Sequence, residues 1–354
     1  SGLPLPSADT PIPYPLPTQE HLTLEPESTA TVGPAPIVLG AEWASKELQE
    51  TYVSTTLVVA PVGDGPGELG FQAHGVEPPT IANPFTVDAH GNIYVLDLVN
   101  RRVAQFDAQG HFVRNIPYPG TSEVWFPELL AVDLEGRIYL YDRGINTEQV
   151  AVKCYDAEGH LLQRFPAPSW FWWERSIRAM HVDEQGVLWV EGQGSYPNAP
   201  IIEGEPFQEV VVPLGTVGEL IAEEEQQRRA VPGFLLPGGQ TIIGYSPTMQ
   251  GPAYLYNLQG RRIYEPRHGV VGIDQRGTFY LSEQRYVAEQ QLTFMHRCTP
   301  EGETISVFGP LESGTGYGHR VSREMFVGRD GTVHVLLWDW EAGDAYRVIR
   351  WRLR

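Results

Sequence analysis

The residues of this chain whose types and spacing could do chemistry are aspartates that recur in the pattern Asp-x-x-Gly. Paired carboxylates can act as general acid and base or bind a metal ion. A catalytic carboxylate would be unique to one place, whereas an Asp that opens a turn accepts hydrogen bonds from backbone amides. The recurrence therefore predicts turn caps rather than catalytic acids. The copies of the pattern that open a repeated unit begin at Asp88, Asp133, Asp183 and Asp274.

Other signatures of catalysis are missing from the sequence. It contains no Gly-x-Ser-x-Gly elbow, no His-Glu-x-x-His pair, no Cys-x-x-Cys pair and no phosphate-binding loop. The densest aromatic run, Trp170-Phe171-Trp172-Trp173, either packs between two sheets or forms a platform for a glycan or for a partner's proline-rich segment. Both alternatives stay open, so Trp170, Trp172 and Trp173 are candidate platform residues.

Composition limits the classes of partner. The chain carries 44 acidic and 25 basic residues, a formal net charge of −19, which argues against nucleic acid and anionic membrane surfaces. No apolar run approaches the roughly 20 residues of a membrane-spanning helix. Few Met and Cys residues beside many prolines are typical of proteins from hot environments, although a GC-rich genome favours a similar composition.

The elements that must position any site follow a repeated unit beyond residue 80. Each Asp-x-x-Gly turn is followed by alternating β-forming residues, and a second turn follows later in the unit, as at Asp107 and Asp156. Each unit is therefore a four-stranded antiparallel meander. Units of about 40 to 50 residues with four strands are typical of β-propeller blades. With two degenerate turns that end at Gly239 and Gly331, the all-β chain is predicted to form a six-bladed β-propeller.

The first unit resembles the NHL repeat. The resemblance lies in Asp97-Leu-Val-Asn100-Arg101-Arg102-Val103 and in the preceding Gly-rich stretch, which begins Gly63-Asp-Gly65-Pro-Gly67. It implies a six-bladed propeller over about residues 53–354 and specifies little about function.

Related six-bladed propellers include enzymes that hold a metal ion over the central channel, and this implies where a site would lie. No three units of this chain offer histidine or carboxylate at matching positions, and His181 is expected to be a structural residue of its strand. We therefore expect no catalytic residue, no cofactor and no metal ion. The ionisable residues considered at the channel are Glu128, Arg178, His181, His268, His319, Arg323 and Glu324.

The two ends of the propeller sequence predict how the ring closes. The chain ends in a strand over residues 345–353 with no fourth strand after it. Val53, Leu57 and Val59 lie in a strand that precedes the first unit, and we expect this strand to complete the last blade and remove a sheet edge. Cys154 and Cys298 then fall on opposite blades, so both thiols are expected to be unpaired and buried.

Two segments depart from the units. Residues 1–50 are predicted to form a Pro-rich extended arm that ends in a short helix at 44–50. Within the propeller of residues 51–354, an insertion at 191–234 contains a helix predicted over 216–229 that starts with a capping box of Thr216 and Glu219. The apolar arm residues expected to dock on a neighbouring subunit are Leu3, Leu5, Ile12, Tyr14 and Leu16.

These observations favour a non-enzymatic, secreted or cell-surface protein that acts through protein–protein contacts. Docking of the arm on the next subunit predicts self-assembly into an oligomer or filament. The expected partners are other copies of the chain and a glycan, with no nucleic acid and no membrane span. Two alternatives stay open: a propeller enzyme of the lactonase or lyase type with a site at the channel mouth, and a glycan-binding module.

Overall fold

The structure is a computed structural model in which almost every element is a β-strand. Its sheets are numbered one to six in chain order of their innermost strands, and a complete sheet is called a blade. The described residues are 52–74, 77–118, 129–142, 150–171, 177–194, 208–232, 234–236, 241–245, 254–256, 262–264, 269–287, 290–299, 304–311, 325–339 and 345–354.

The sheets are antiparallel, and each runs outward from a short innermost strand. The last blade takes its outermost strand, β1 (Tyr52–Pro61), from the other end of the chain, and a separate hairpin pairs β2 (Phe71–His74) with β3 (Glu77–Ile81). The first two blades consist of β4 (Phe85–Val87), β5 (Ile93–Asp97), β6 (Arg102–Phe106) and β7 (Phe112–Pro117), and of β8 (Leu129–Val132), β9 (Ile138–Asp142), β10 (Ala151–Tyr155) and β11 (Leu161–Pro166).

The other sheets follow the same plan. Blade three also carries a helix, α1 (Glu223–Arg229), next to its outer strands. The remaining strands are β12 (Ile177–Val182), β13 (Leu188–Gly194), β14 (Gln208–Thr216), β15 (Glu219–Leu220) and β16 (Val231–Pro232) of blade three; β17 (Phe234–Leu235), β18 (Thr241–Tyr245), β19 (Tyr254–Tyr256) and β20 (Arg262–Tyr264) of sheet four; β21 (Gly269–Ile273), β22 (Phe279–Val287), β23 (Gln290–Cys298) and β24 (Thr304–Leu311) of blade five; and β25 (Met325–Val327), β26 (Val333–Asp339) and β27 (Ala345–Leu353) of blade six.

The propeller fold is confirmed, and five complete blades are counted among the described residues against the six predicted. The difference lies in sheet four. Among the described pairs, β18 pairs with β17 through residues 241 and 242 and with β19 through residues 243 to 245. The described pairs of sheet four thus form two ladders that share no residue of β18, whereas those of the other five sheets overlap.

Ring closure by the N-terminal strand is confirmed. β1 pairs with β27 from Tyr52↔Leu353 to Pro61↔Ala345, so it is the fourth strand of blade six. The side chains that β1 buries are those of Tyr52, Val58 and Ala60. Val53 and Val59 are exposed, and Leu57 lies at a bulge that shifts the register between Thr56 and Val58.

The recurring aspartates are turn caps, as their spacing predicts. In the first turn, Asp88 Oδ1 accepts hydrogen bonds from the backbone N–H groups of His90 (2.8 Å) and Asn92 (2.9 Å). Tyr94 Oη donates to Asp88 Oδ2 at 3.2 Å. Gly91 takes φ = 84°, the left-handed conformation that this turn requires. The same carboxylate-to-ring bond joins Asp133 to Tyr139, Asp183 to Trp189 and Asp274 to Tyr280.

The residues that resemble an NHL repeat hold the Gly-rich segment in place. The carboxylate of Asp97 is fully buried and accepts bonds from Arg102 Nε (3.0 Å) and from the backbone N–H of Gly70 (3.1 Å). The guanidinium of Arg102 donates to the carbonyl oxygens of Asp64 (2.7 Å) and Glu68 (2.8 Å). This buried pair therefore fixes the connection between β1 and blade one.

The predicted capping box is wrong. Thr216 and Glu219 pair with each other across the β14–β15 hairpin, so the chain turns there instead of entering a helix. Helix α1 begins later, after Ala222, without a side-chain cap and with Glu223, Glu224 and Glu225 in its first turn. Acidic residues near the positive end of the helix dipole stabilise that end.

Both cysteines are free and buried, as predicted. Burial raises the pKa of the Cys154 thiol to about 12 and that of the Cys298 thiol to about 11. We expect the folded protein to show no reaction with Ellman's reagent at pH 8, because the reactive thiolate is scarcely populated. Both thiols should react after denaturation in guanidinium chloride. Rapid reaction of the folded protein would contradict the burial of these strands.

The arm lies outside the described residues, and so do Leu3, Leu5, Ile12, Tyr14, Leu16 and the helix predicted at 44–50. Among the residues that the structure describes, no helix is long and apolar enough to cross a membrane.

Candidate active site in the propeller channel

A cavity of about 920 Å³ is lined mainly by the innermost strands and by the turns that follow them. Its lining combines apolar side chains, such as those of Phe85, Leu130 and Phe326, with polar side chains of several blades. At one end Arg329 forms an ion pair with Glu184, which joins the first turns of blades six and three. These blades stand opposite each other in the order of sheets, so the pair spans this end of the channel.

Arg178 and His181 are the ionisable side chains that β12 contributes to the cavity lining. The neighbouring Ile177, Met180 and Val182 are buried in the core between blades two and three. Side chains of a strand alternate between its faces, so His181 lies opposite Met180 and Val182.

A β-bulge places Arg178 on the same face as His181. In a regular strand, residues three apart lie on opposite faces. The pairing Ile177↔Gly192 is followed by Ala179↔Glu191, so Arg178 is an extra residue in the ladder. Bulges re-aim side chains in this way and are common beside active sites. His181 and Arg178 therefore share one face of β12 because of this bulge.

The position of His181 distinguishes blade three from the other described blades. Its strand partner is Trp189, the ring that bonds the turn carboxylate. In blades one, two, five and six, the innermost strand has a different residue at the position of His181. These residues are Thr86, Ala131, Gly272 and Phe326. None of these four can titrate, so His181 meets the criterion that a site residue is unique to one blade.

Sequence reasoning missed Glu191, a buried carboxylate on β13 opposite Ala179. Its Oε2 accepts a hydrogen bond of 2.8 Å from the backbone N–H of Leu235 in β17. It thereby ties blade three to sheet four next to the bulge. Only its departure from the apolar run of β13 could have marked it in the sequence.

The structure brings together only some of the predicted candidates. Trp170 is half-buried against the core of blades two and three, and its ring contacts that of Phe171 edge to face. It therefore packs between sheets. The candidates that lie outside the described residues are Trp172, Trp173, Glu128, His268, His319, Arg323 and Glu324.

Within the described ranges, one group of side chains could hold a metal ion: Asp156, Glu158 and His160. They form an exposed outer turn of blade two, where Asp156 accepts bonds from the backbone N–H groups of both other residues. Asp156 Oδ2 also contacts His160 Nδ1 at 3.0 Å. The turn therefore explains this cluster. The described lining of the cavity presents no such set.

Comparisons with known proteins extend only to the fold. No protein-family model and no curated protein matches the chain. Solved structures similar to it include a streptogramin B lyase, with 12% identity and a TM-score of 0.41 over 87% of this chain and 100% of that one. A gluconolactonase from Xanthomonas campestris has 13% identity and a TM-score of 0.39 over 86% and 100%. Virginiamycin B lyase from Staphylococcus aureus has 9% identity and a TM-score of 0.38 over 80% and 82%.

These comparisons overturn the prediction of a non-enzymatic, self-assembling protein. The proteins named above are enzymes, in line with the alternative of a propeller enzyme. At such low identity the likeness shows the β-propeller fold alone, so any function proposed for this chain has to be argued from its own residues.

Proposed function

We propose that the chain is an enzyme that hydrolyses a small cyclic ester, a lactone, inside the propeller channel. The observation that carries the proposal is the bulge in β12, which puts a titratable base and a permanent cation on one face of the cavity. Base-assisted attack of water on an ester carbonyl needs these two functions. The cavity volume suits a small molecule.

In the proposed reaction, His181 accepts a proton from water as the water oxygen bonds to the ester carbonyl carbon. The guanidinium of Arg178 stabilises the negative charge that develops on the carbonyl oxygen. The ring carbon–oxygen bond then breaks, and His181 returns its proton to the leaving oxygen. The product is the open hydroxy acid.

The test is a proton-release assay with the full chain and a panel of γ- and δ-lactones of sugar acids. We expect at least one lactone to be hydrolysed faster than in buffer, and we expect the rate to depend on His181. If the wild-type protein opens no lactone of the panel above the spontaneous rate, the proposed reaction is wrong.

We also propose that blade one is an NHL-type repeat. The hydrogen bonds that Asp97 and Arg102 form with the Gly-rich segment support this, because they show that the residues of the motif together hold that segment in place. Secretion or a cell-surface location, and a thermophilic source, stay predictions from the sequence.

A further inference from the structure

Blade six departs from the turn unit of the other blades. In blades one, two, three and five, a carboxylate opens the first turn and accepts a bond from a Tyr or Trp ring six residues later. In blade six the first position is Gly328, which offers no side-chain acceptor. His334 stands in the place of the ring and pairs with Phe326 across the strands.

His334 and Arg350 are neighbours with unmatched polar atoms. They face each other in register on β26 and β27, and both line the cavity. His334 is 6% exposed, and neither its Nδ1 nor the buried Nε of Arg350 has a hydrogen-bond partner. Burial and the charge of Arg350 lower the pKa of His334 to about 4. Buried polar atoms without partners cost free energy that an added acceptor would recover.

The acidic groups nearby are already engaged. Asp330 lies beside Gly328, but its carboxylate accepts bonds from the backbone N–H (2.9 Å) and the hydroxyl (2.7 Å) of Thr332. From blade one, Asp88 and His90 line the same cavity, and both oxygens of Asp88 accept bonds from its own turn unit. No carboxylate of these turns therefore satisfies His334 Nδ1 or Arg350 Nε.

We propose that this part of the cavity, where blade six meets blade one, binds a small oxyanion, a carboxylate or phosphate group. Its oxygens accept hydrogen bonds from His334 Nδ1 and Arg350 Nε. The ligand thereby supplies the acceptor that an aspartate supplies in the other blades. Charge-assisted bonds of this kind are strong and specific. The site is on the wall opposite Arg178 and His181 in the order of sheets, and its existence does not depend on the proposed reaction.

Calorimetry with the full chain tests this site, with inorganic phosphate and succinate as probes. We expect the wild type to bind at least one of them, and the comparison shows which oxyanion the site prefers. Arg350→Met is expected to weaken that binding about tenfold or more. Arg352→Met is the matched control, because Arg352 is exposed on the same strand and should leave affinity unchanged.

A second variant restores the turn unit of the other blades. In Gly328→Asp with Asp330→Gln, the new carboxylate lies where it can accept from His334, and glutamine occupies the third turn position as Gln185 does in blade three. We expect this variant to fold and to lose the bound oxyanion. Failure of both probes to bind the wild type would overturn the proposal. Equal affinity in Arg350→Met, or undiminished binding in the restored variant, would also overturn it.

Discussion

Replacing Asp97 by alanine is expected to lower the free energy of unfolding by about 3 to 5 kcal/mol. The substitution leaves the guanidinium of Arg102 buried without its carboxylate, at a site where the Asp97 side chain is fully covered. It also removes the acceptor for the backbone N–H of Gly70 and for the side chain of Asn100, whose Nδ2 lies 2.8 Å from Asp97 Oδ2. The connection between β1 and blade one should therefore loosen together with the pair.

Urea unfolding followed by tryptophan fluorescence measures this loss. Asp156→Ala is the matched control, because Asp156 also caps a turn but lies in an outer turn whose other residues are exposed. Loss of that cap is expected to destabilise the protein much less, because water can replace the lost acceptor. If Asp97→Ala were no more destabilising than Asp156→Ala, the buried pair would not hold the Gly-rich segment as described.

Replacing His181 by glutamine is expected to reduce kcat for lactone hydrolysis by about 10² to 10⁴. Glutamine keeps a polar side chain of similar reach but cannot exchange a proton near neutral pH. Since the bulge and the buried face of β12 are untouched, the unfolding midpoint should stay close to that of the wild type. KM should change far less than kcat, because the lost interaction belongs to the transition state.

His160→Gln serves as the control for this measurement. His160 is 77% exposed on an outer turn of blade two and should not affect turnover. A kcat for His181→Gln equal to that of the wild type would show that another residue supplies the base.

The sequence allows the propeller to be predicted because its turns are local. Asp88 and Gly91 lie three residues apart, and the bonds that close their turn depend on these residues and on little else. The same chemistry marks blades one, two, three and five, and degenerate turns mark the other two sheets, so counting turns approximates counting blades. Sheet four shows the limit of this reasoning, because the residues of β18 that pair with each neighbour depend on strand register, which the turn residues do not indicate.

The candidate site could be predicted only in part, because it depends on a histidine within an apolar strand and on a bulge in that strand. His181 is a histidine within an apolar strand, and such a residue is commonly structural. The extra residue in β12 brings Arg178 to the same face as His181, and no pattern in the sequence predicts this bulge. Period-two reasoning fails where a strand gains one residue.

The labelling of His181 tests most directly whether the channel is the active site. The measurement is modification by diethyl pyrocarbonate, located by mass spectrometry, with and without a saturating concentration of the hydroxy acid formed in the lactone assay. We predict that the product protects His181 and leaves the labelling of His160 unchanged. Labelling of His181 at the same rate with and without product would contradict the placement of the reaction in the propeller channel.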